Sequence, residues 1–418
     1  MAEFRVWYST ESFADYIINF TKLSSHTPRK AKLPESDAAK SNTFHKVPEH
    51  LKKILYLDCP DLIVELDKEP IFSIEITAEA GTGHNHYQRF ARIVAAAENF
   101  VPAFYICAPA KMVYRSGNPT RWDAINPSVF KAFDRVMTIY NTPALIYYYP
   151  SDYDDPVYWT NPMGCPHQSS QGLDHSTSRA YAGCPNEHSN HMVALFSALN
   201  LIIDSVLTKG CKKGIESLNS STIIQDARDW MLDQYNIRNT KHKALGAMSP
   251  LTSTITVPTS YLLNYLAKKH KTGPGDISEL LSSRDKTVIY CVNAKFRGDP
   301  YPGILSAIDH LKCRNGRTFE DREYNLVLCF GRLTVDPNGS ISFASSPASI
   351  NDFVKGVKSC NSKNLLTKDY KKLTTKNIPR YYMQVRYGSM YSKSKHIRVY
   401  SYFADAIIFH DGSLWRQA

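Results

Sequence analysis

The sequence contains no GxxxxGK loop followed by Ser or Thr, so NTP-driven translocation has no phosphate cradle to rest on. It has no GxSxG elbow for Ser-His-Asp hydrolysis. No 18-residue apolar run is present, and the opening MAEFRVWYSTESFADYIINF has neither a basic region before an uninterrupted apolar stretch nor a cleavage-like site. The expectation is a soluble, unexported, cytoplasmic protein without a membrane partner. Cysteine is present but unpatterned: nine residues, an odd number scattered from Cys59 to Cys360, read as reduced thiols rather than a disulfide frame. Acid is scarce at one end only, where residues 351 to 418 hold thirteen Lys and Arg against four Asp and Glu.

The 418 residues (47.3 kDa, 43% hydrophobic, 21% charged) suffice for one large or two medium cores, which excludes disorder as the main state. The net charge of +11 and pI near 9.0 suit a polyanionic partner. Most of that excess lies in the last 68 positions, interleaved with Tyr370, Tyr381, Tyr382, Tyr387, Tyr391, Tyr400 and Tyr402. Cations with aromatics grip phosphates and stack on bases, although a solvated face of a Tyr-rich sheet has the same composition.

Residues 10 to 22 read as a helix, with Thr10 as a possible N-cap and Phe13, Tyr16, Ile17 and Phe20 on one face. Three short apolar runs follow, ILYLD, LIVEL and IFSIEIT, separated by Pro60-Asp61 and Asp67-Lys68-Glu69-Pro70, and predict a three-stranded meander. Beyond Gly81-Thr82-Gly83, a helix carries Tyr87, Phe90, Ala91, Val94 and Ala95 on one face, and the strand AFYICA comes next. A helix at 128 to 138 and the strand ALIYYY at 144 to 149 complete an α/β layer. A long Pro-, Gly- and His-rich loop spans 151 to 190, helices are expected at 191 to 207 and 222 to 235, and a β-α-β texture returns from Lys286.

The chemistry concentrates at Pro60-Asp61 and Glu75-Ile76-Thr77. Period-two alternation puts Glu75 and Thr77 on one strand face, and a hairpin would let the Asp61 and Glu75 carboxylates converge on one divalent ion. Hard oxygen ligands with vacant positions are what Mg²⁺ needs to bring a phosphate and a water together.

This segment resembles the catalytic core of the PD-(D/E)XK nuclease superfamily, best known from type II restriction endonucleases. The resemblance implies a restriction-endonuclease-like αβββαβ core with a mixed sheet in an α/β fold. By the same resemblance Asp61 and Glu75 are metal ligands, the Ile76 carbonyl is a third, and Gln88 or Arg89 supports the site or touches a phosphate. Thr77 stands where the family has lysine and cannot bring positive charge to the attacking water. Arg89, Arg92 or His84 is positioned to replace that cation, and Glu79 to assist a second metal. The implied function is a Mg²⁺-dependent, site-specific endodeoxyribonuclease acting on double-stranded DNA as a homodimer. The rival reading is a catalytically inactive nuclease-like nucleic-acid-binding protein.

The expected division is a nuclease core at 1 to 160, a helical and loop insertion with DNA contacts at 161 to 285, and a basic Tyr-rich α/β or α+β recognition region at 286 to 418. Arg238, Asn239, Lys241 and Arg386 are candidate DNA readers. Cys165, His167, Cys184 and His188 have donor spacing for a structural Zn²⁺, with His175 and His191 as substitutes, although a loop ordered by DNA needs no metal. Asp285 with Asn293-Ala294-Lys295 mimics a second acid-and-lysine site, but Asn in place of the acid favours a structural or DNA-contacting role.

Overall fold

The computed structural model describes residues 2–33, 48–55, 59–78, 83–125, 127–154, 176–241, 254–269, 281–282, 284–292, 324–330, 332–344, 404–409 and 414–416. By packing, the described residues up to Lys241 form one unit and those from Thr254 onward a second. The boundary falls inside the 161 to 285 stretch.

The first unit runs β1 (Phe4–Tyr8), α1 (Glu11–Asn19), β2 (Arg29–Lys32), α2 (Glu49–Leu55), β3 (Leu62–Leu66), β4 (Glu69–Thr77), α3 (Gly83–Ala97) and β5 (Ala103–Cys107). A hairpin of β6 (Ala110–Arg115) and β7 (Asn118–Ala124) follows, then α4 (Ser128–Tyr140), β8 (Ala144–Tyr148), α5 (Asn190–Lys209), α6 (Cys211–Glu216) and α7 (Thr222–Lys241). Six strands form one mixed sheet in the order β2-β1-β3-β4-β5-β8. β1, β3 and β4 pair antiparallel, whereas β4, β5 and β8 run parallel. β3, β5 and β8 are buried along their whole length, which is why LIVEL, AFYIC and ALIYY read as unbroken apolar runs.

The meander expected from ILYLD, LIVEL and IFSIEIT is built differently. Ile54 and Leu55 end α2, where Leu51, Ile54 and Leu55 at helical spacing bury one face, and residues 56 to 58 lie outside the described set. A five-residue apolar run fits either period, and the preceding EHLKK decides for helix. The third antiparallel strand comes instead from the N-terminus, as β1.

Two ring-lined layers cover the sheet. On one side Phe90 of α3 meets Phe133 of α4 at 5.6 Å, and Tyr105 of β5 stacks on Phe133 at 6.1 Å. Elsewhere Tyr16 and the adjacent Phe20 of α1 pack on Phe196 of α5 at 5.5 and 5.4 Å. Among the described residues α5 is the one helix long and apolar enough to cross a membrane, with a mean hydropathy of 1.6 over its best window, half of which is buried inside the unit. Its apolar character is that of a core helix: Leu195, Leu199, Ile202 and Ile203 are fully buried. The helix expected at 222 to 235 continues to Lys241.

The second unit holds β9 (Thr254–Pro258), α8 (Thr259–Lys269), β10 (Lys286–Val292), β11 (Asn325–Phe330), β12 (Arg332–Val335), β13 (Ile341–Ala344), β14 (Ala406–Phe409) and β15 (Leu414–Arg416). Its five-stranded sheet has the order β15-β14-β11-β10-β9, around a core of Leu262, Leu266, Ile289, Val327 and Cys329. Asp285 is exposed immediately before β10, and 293 to 295 lie outside the described residues. Both units are mixed α/β with mixed sheets.

Candidate active site

The site is built by one hairpin and one irregularity in it. Asp67 and Lys68 both take positive φ, 50° and 69°, the two-residue turn whose twist matches the flanking strands. From that turn the register runs Leu66↔Glu69 and Glu65↔Pro70, then jumps to Val64↔Phe72, Ile63↔Ser73 and Leu62↔Ile74. Ile71 is therefore a bulged extra residue beside Pro70, a residue that cannot donate to the ladder and is tolerated at bulges. The shift matters because a one-residue slip exchanges faces. With it, the next position, Asp61, stands opposite Glu75. Without it, Asp61 would stand opposite Ile74 and the two carboxylates would point to opposite sides.

Asp61 is fixed from both neighbouring strands. Its Oδ1 accepts from the Ser9 hydroxyl at 3.0 Å, its backbone carbonyl accepts from Ser9 N at 2.8 Å, and its Oδ2 accepts from Ile76 N at 3.0 Å. Glu75 is 1% exposed. Arg92 Nη1 donates to its Oε1 at 2.5 Å, and Arg89 Nε lies 2.9 Å from the same oxygen. The two arginines are three positions apart on α3, hence on one helix face. Burial pushes the Glu75 carboxyl up to about 7 and the Asp61 charge pushes the same way, against the lowering pull of Arg92 and Arg89. Tyr105, beside Glu75 in the β4–β5 register, is held well above the usual phenol range, chiefly by burial.

The structure thus brings Asp61, Glu75 and Arg89 together, with Ile76 contributing its N–H to Asp61. Thr77 lies two residues on, on the Glu75 face, buried and neutral. Gln88 is on α3, and Arg238, Asn239 and Lys241 are at the end of α7, with their side chains outside the described set; the side chain of His84 is likewise outside it. Glu79, Cys165, His167, His175 and Arg386 lie outside the described residues. Ser9 was missed by sequence reasoning, because nothing in a serine 52 positions upstream marks it as the partner of Asp61.

Oxygen donors are the chemistry available for a metal. Among the described residues no three His, Cys, Asp or Glu side chains cluster for an ion, so the donor set is the carboxylate pair. Glu75 Oε2 is buried and has no hydrogen-bond partner among the described residues. A buried, unpartnered carboxylate oxygen beside a second carboxylate fits Mg²⁺, which takes one or two carboxylates and fills its remaining positions from water and phosphate.

The described half of the proposed zinc set is less apt. Cys184 is buried, its thiol donates to the Ala182 carbonyl at 3.8 Å, and burial pushes it up to about 11. The His188 side chain is 84% exposed. His191 is packed between Tyr148 and Trp230, and burial pushes it down to about 4.

No protein-family model, curated protein or solved structure matches this chain. The reading of the site rests on its own geometry.

Proposed function

We propose that the chain is a Mg²⁺-dependent endodeoxyribonuclease of the restriction type, built on a PD-(D/E)XK-like core and acting on double-stranded DNA as a homodimer. The observation that carries this reading is the bulged β3–β4 hairpin. It sets Asp61 opposite Glu75 at the end of two strands, and the next helix delivers two arginines to the glutamate. Asp61, Glu75 and the Ile76 carbonyl would hold the ion. Bound there, Mg²⁺ supplies Lewis-acid activation of the phosphodiester and of the attacking water.

The chain's own residues account for the rest. Ser9 and the Ile76 N–H hold the Asp61 carboxylate in one orientation, and the burial of Glu75 keeps bulk water from its side chain. Arg89 and Arg92 take over the electrostatic task left vacant by Thr77, placing fixed positive charge where a phosphate gains negative charge in the transition state. One feature favours the rival, inactive reading: both guanidinium groups engage a single Glu75 oxygen, as they would in a purely structural ion pair.

Sequencing the fragment ends of genomic DNA incubated with protein and Mg²⁺ separates the two. The nuclease reading expects ends that share a sequence. Tight DNA binding with a steep salt dependence but no new ends would establish the rival.

A further inference from the structure

A second constructed feature lies at the β8 edge of the same sheet. A cleft of about 510 Å³ opens between α5 and α7, lined among others by Tyr147, Asn190, His191, Ala194, Asp226 and Trp230. At its inner end Tyr147 is 3% exposed, and its hydroxyl is buried with no hydrogen-bond partner among the described residues. A buried phenol left without a partner is costly unless a ligand or water completes it. Trp230 and His191 stand edge to face at 4.8 Å, and both pack on Tyr148, at 4.9 and 5.1 Å. One wall is therefore a rigid aromatic surface. Asp226 and Asn190, both exposed, add a carboxylate acceptor and an amide with donor and acceptor at the mouth.

One aromatic wall, an inner hydroxyl and rim groups able to read amine and carbonyl edges match the chemistry of a nucleobase. Position agrees. Glu75, Tyr105 and Ile146 are aligned across β4, β5 and β8, so Tyr147 is one residue beyond the row that holds Glu75. Two strand spacings, about 10 Å, separate the two strands concerned, a span that a nucleic-acid strand covers in about three nucleotides. Tyr147 points away from the Glu75 side, but β8 is an edge strand, and Trp230 lines the cleft while touching Tyr148, whose side chain is on the Glu75 side.

Resting on the nuclease reading, we infer that this cleft receives one unstacked base of the DNA, held against Trp230 and His191 and hydrogen-bonded by Tyr147, Asp226 and Asn190. The test is the affinity of the full-length protein for a short, labelled single-stranded oligonucleotide in EDTA, read by fluorescence anisotropy. Trp230→Ala weakens binding about 5- to 150-fold, the range for one lost stacking contact, and Trp230→Phe keeps most of it. Ala194→Leu narrows the cleft from an exposed position and weakens binding as well, which separates occlusion from misfolding. The assay needs neither metal nor cleavage, so a failure of the catalytic assignment does not imitate a failure of the cleft. Wild-type affinity in both Trp230→Ala and a folded Ala194→Leu overturns the inference. So does saturable binding of tetramethylammonium that depends on Trp230 without any Trp230-dependent oligonucleotide binding, since the cleft would then be an ammonium cage.

Discussion

The two sheets share a strand pattern and differ in the chemistry of their buried polar groups: the first buries carboxylates, Glu65 beside His50 and Arg5 as well as Glu75, and the second mainly neutral groups. In the first, β3 and β4 pair antiparallel and β4, β5 and β8 run parallel; in the second, β9 and β10 pair antiparallel and β10, β11 and β14 run parallel. The first sheet buries Glu75 near the carboxyl end of β4, where open α/β sheets place their ligands. The second collects its described polar groups at the opposite end. There the Thr259 and Thr287 hydroxyls lie 2.9 Å apart, Asn325 donates to the Leu281 carbonyl at 2.7 Å, and Asp405 accepts from Leu326 N at 2.8 Å. That second cluster consists mainly of neutral groups that bond one another or nearby backbone, which is how a polar group is made to serve packing. Layout alone therefore does not make a site. What distinguishes the first sheet is a carboxylate pair whose alignment depends on one bulged residue.

The sharpest way to break this contrast is to slip the register. Inserting one alanine between Phe72 and Ser73 shifts the ladder beyond the bulge by one residue, sets Asp61 opposite Ile74 and turns the two carboxylates to opposite sides. It should reduce Mg²⁺-dependent DNA cleavage by about a thousandfold or more, the scale for losing a preorganised electrostatic group. Retained cleavage in a folded insertion variant would show that the alignment is incidental. Next in size is Arg92→Ala, which leaves Glu75 buried with one guanidinium fewer. Urea unfolding should show a loss of about 3 kcal/mol, and Glu75→Leu in the same chain should restore much of it. In the second sheet Asn325→Leu strands the Leu281 carbonyl, while the Thr259 and Thr287 hydroxyls keep each other as partners. It should cost about 1–3 kcal/mol and leave cleavage rates unchanged.

Near neutral pH the smallest effect is a pH dependence. Burial holds His191 neutral, with its pKa lowered from 6.5 to about 4. The unfolded chain takes up this proton first as pH falls, so the stability His191 contributes is complete above pH 6.5 and is lost progressively toward pH 4. The loss amounts to a few kcal/mol at most, about 1.4 kcal/mol for each pKa unit. His191→Phe should flatten that part of the stability profile measured by thermal unfolding.

Much of the first unit was legible because its signals are local. The unbroken apolar runs of β3, β5 and β8, the Asp67-Lys68 turn and the helical face of Phe90, Ala91, Val94 and Ala95 each declare their element within a few residues. The common face of Arg89 and Arg92 was legible too, since the two are three positions apart on one helix. Features that depend on distant pairing were not legible. β1 is five residues long, and its place in the meander is set by pairing with β3 some 58 positions away, as in Tyr8↔Leu62 and Phe4↔Leu66. The bulge at Ile71 depends on which register buries more apolar surface, and the Ser9 bond to Asp61 depends on both. The aromatic cleft joins β8, α5 and α7, whose residues carry no common motif.

The most direct test of the central claim is cleavage of supercoiled plasmid in Mg²⁺ by the wild type beside the near-isosteric variants Asp61→Asn and Glu75→Gln, each checked for native unfolding behaviour. The account predicts discrete products from the wild type and none above background from either variant. Cleavage at the wild-type rate by a folded Asp61→Asn or Glu75→Gln protein would contradict it.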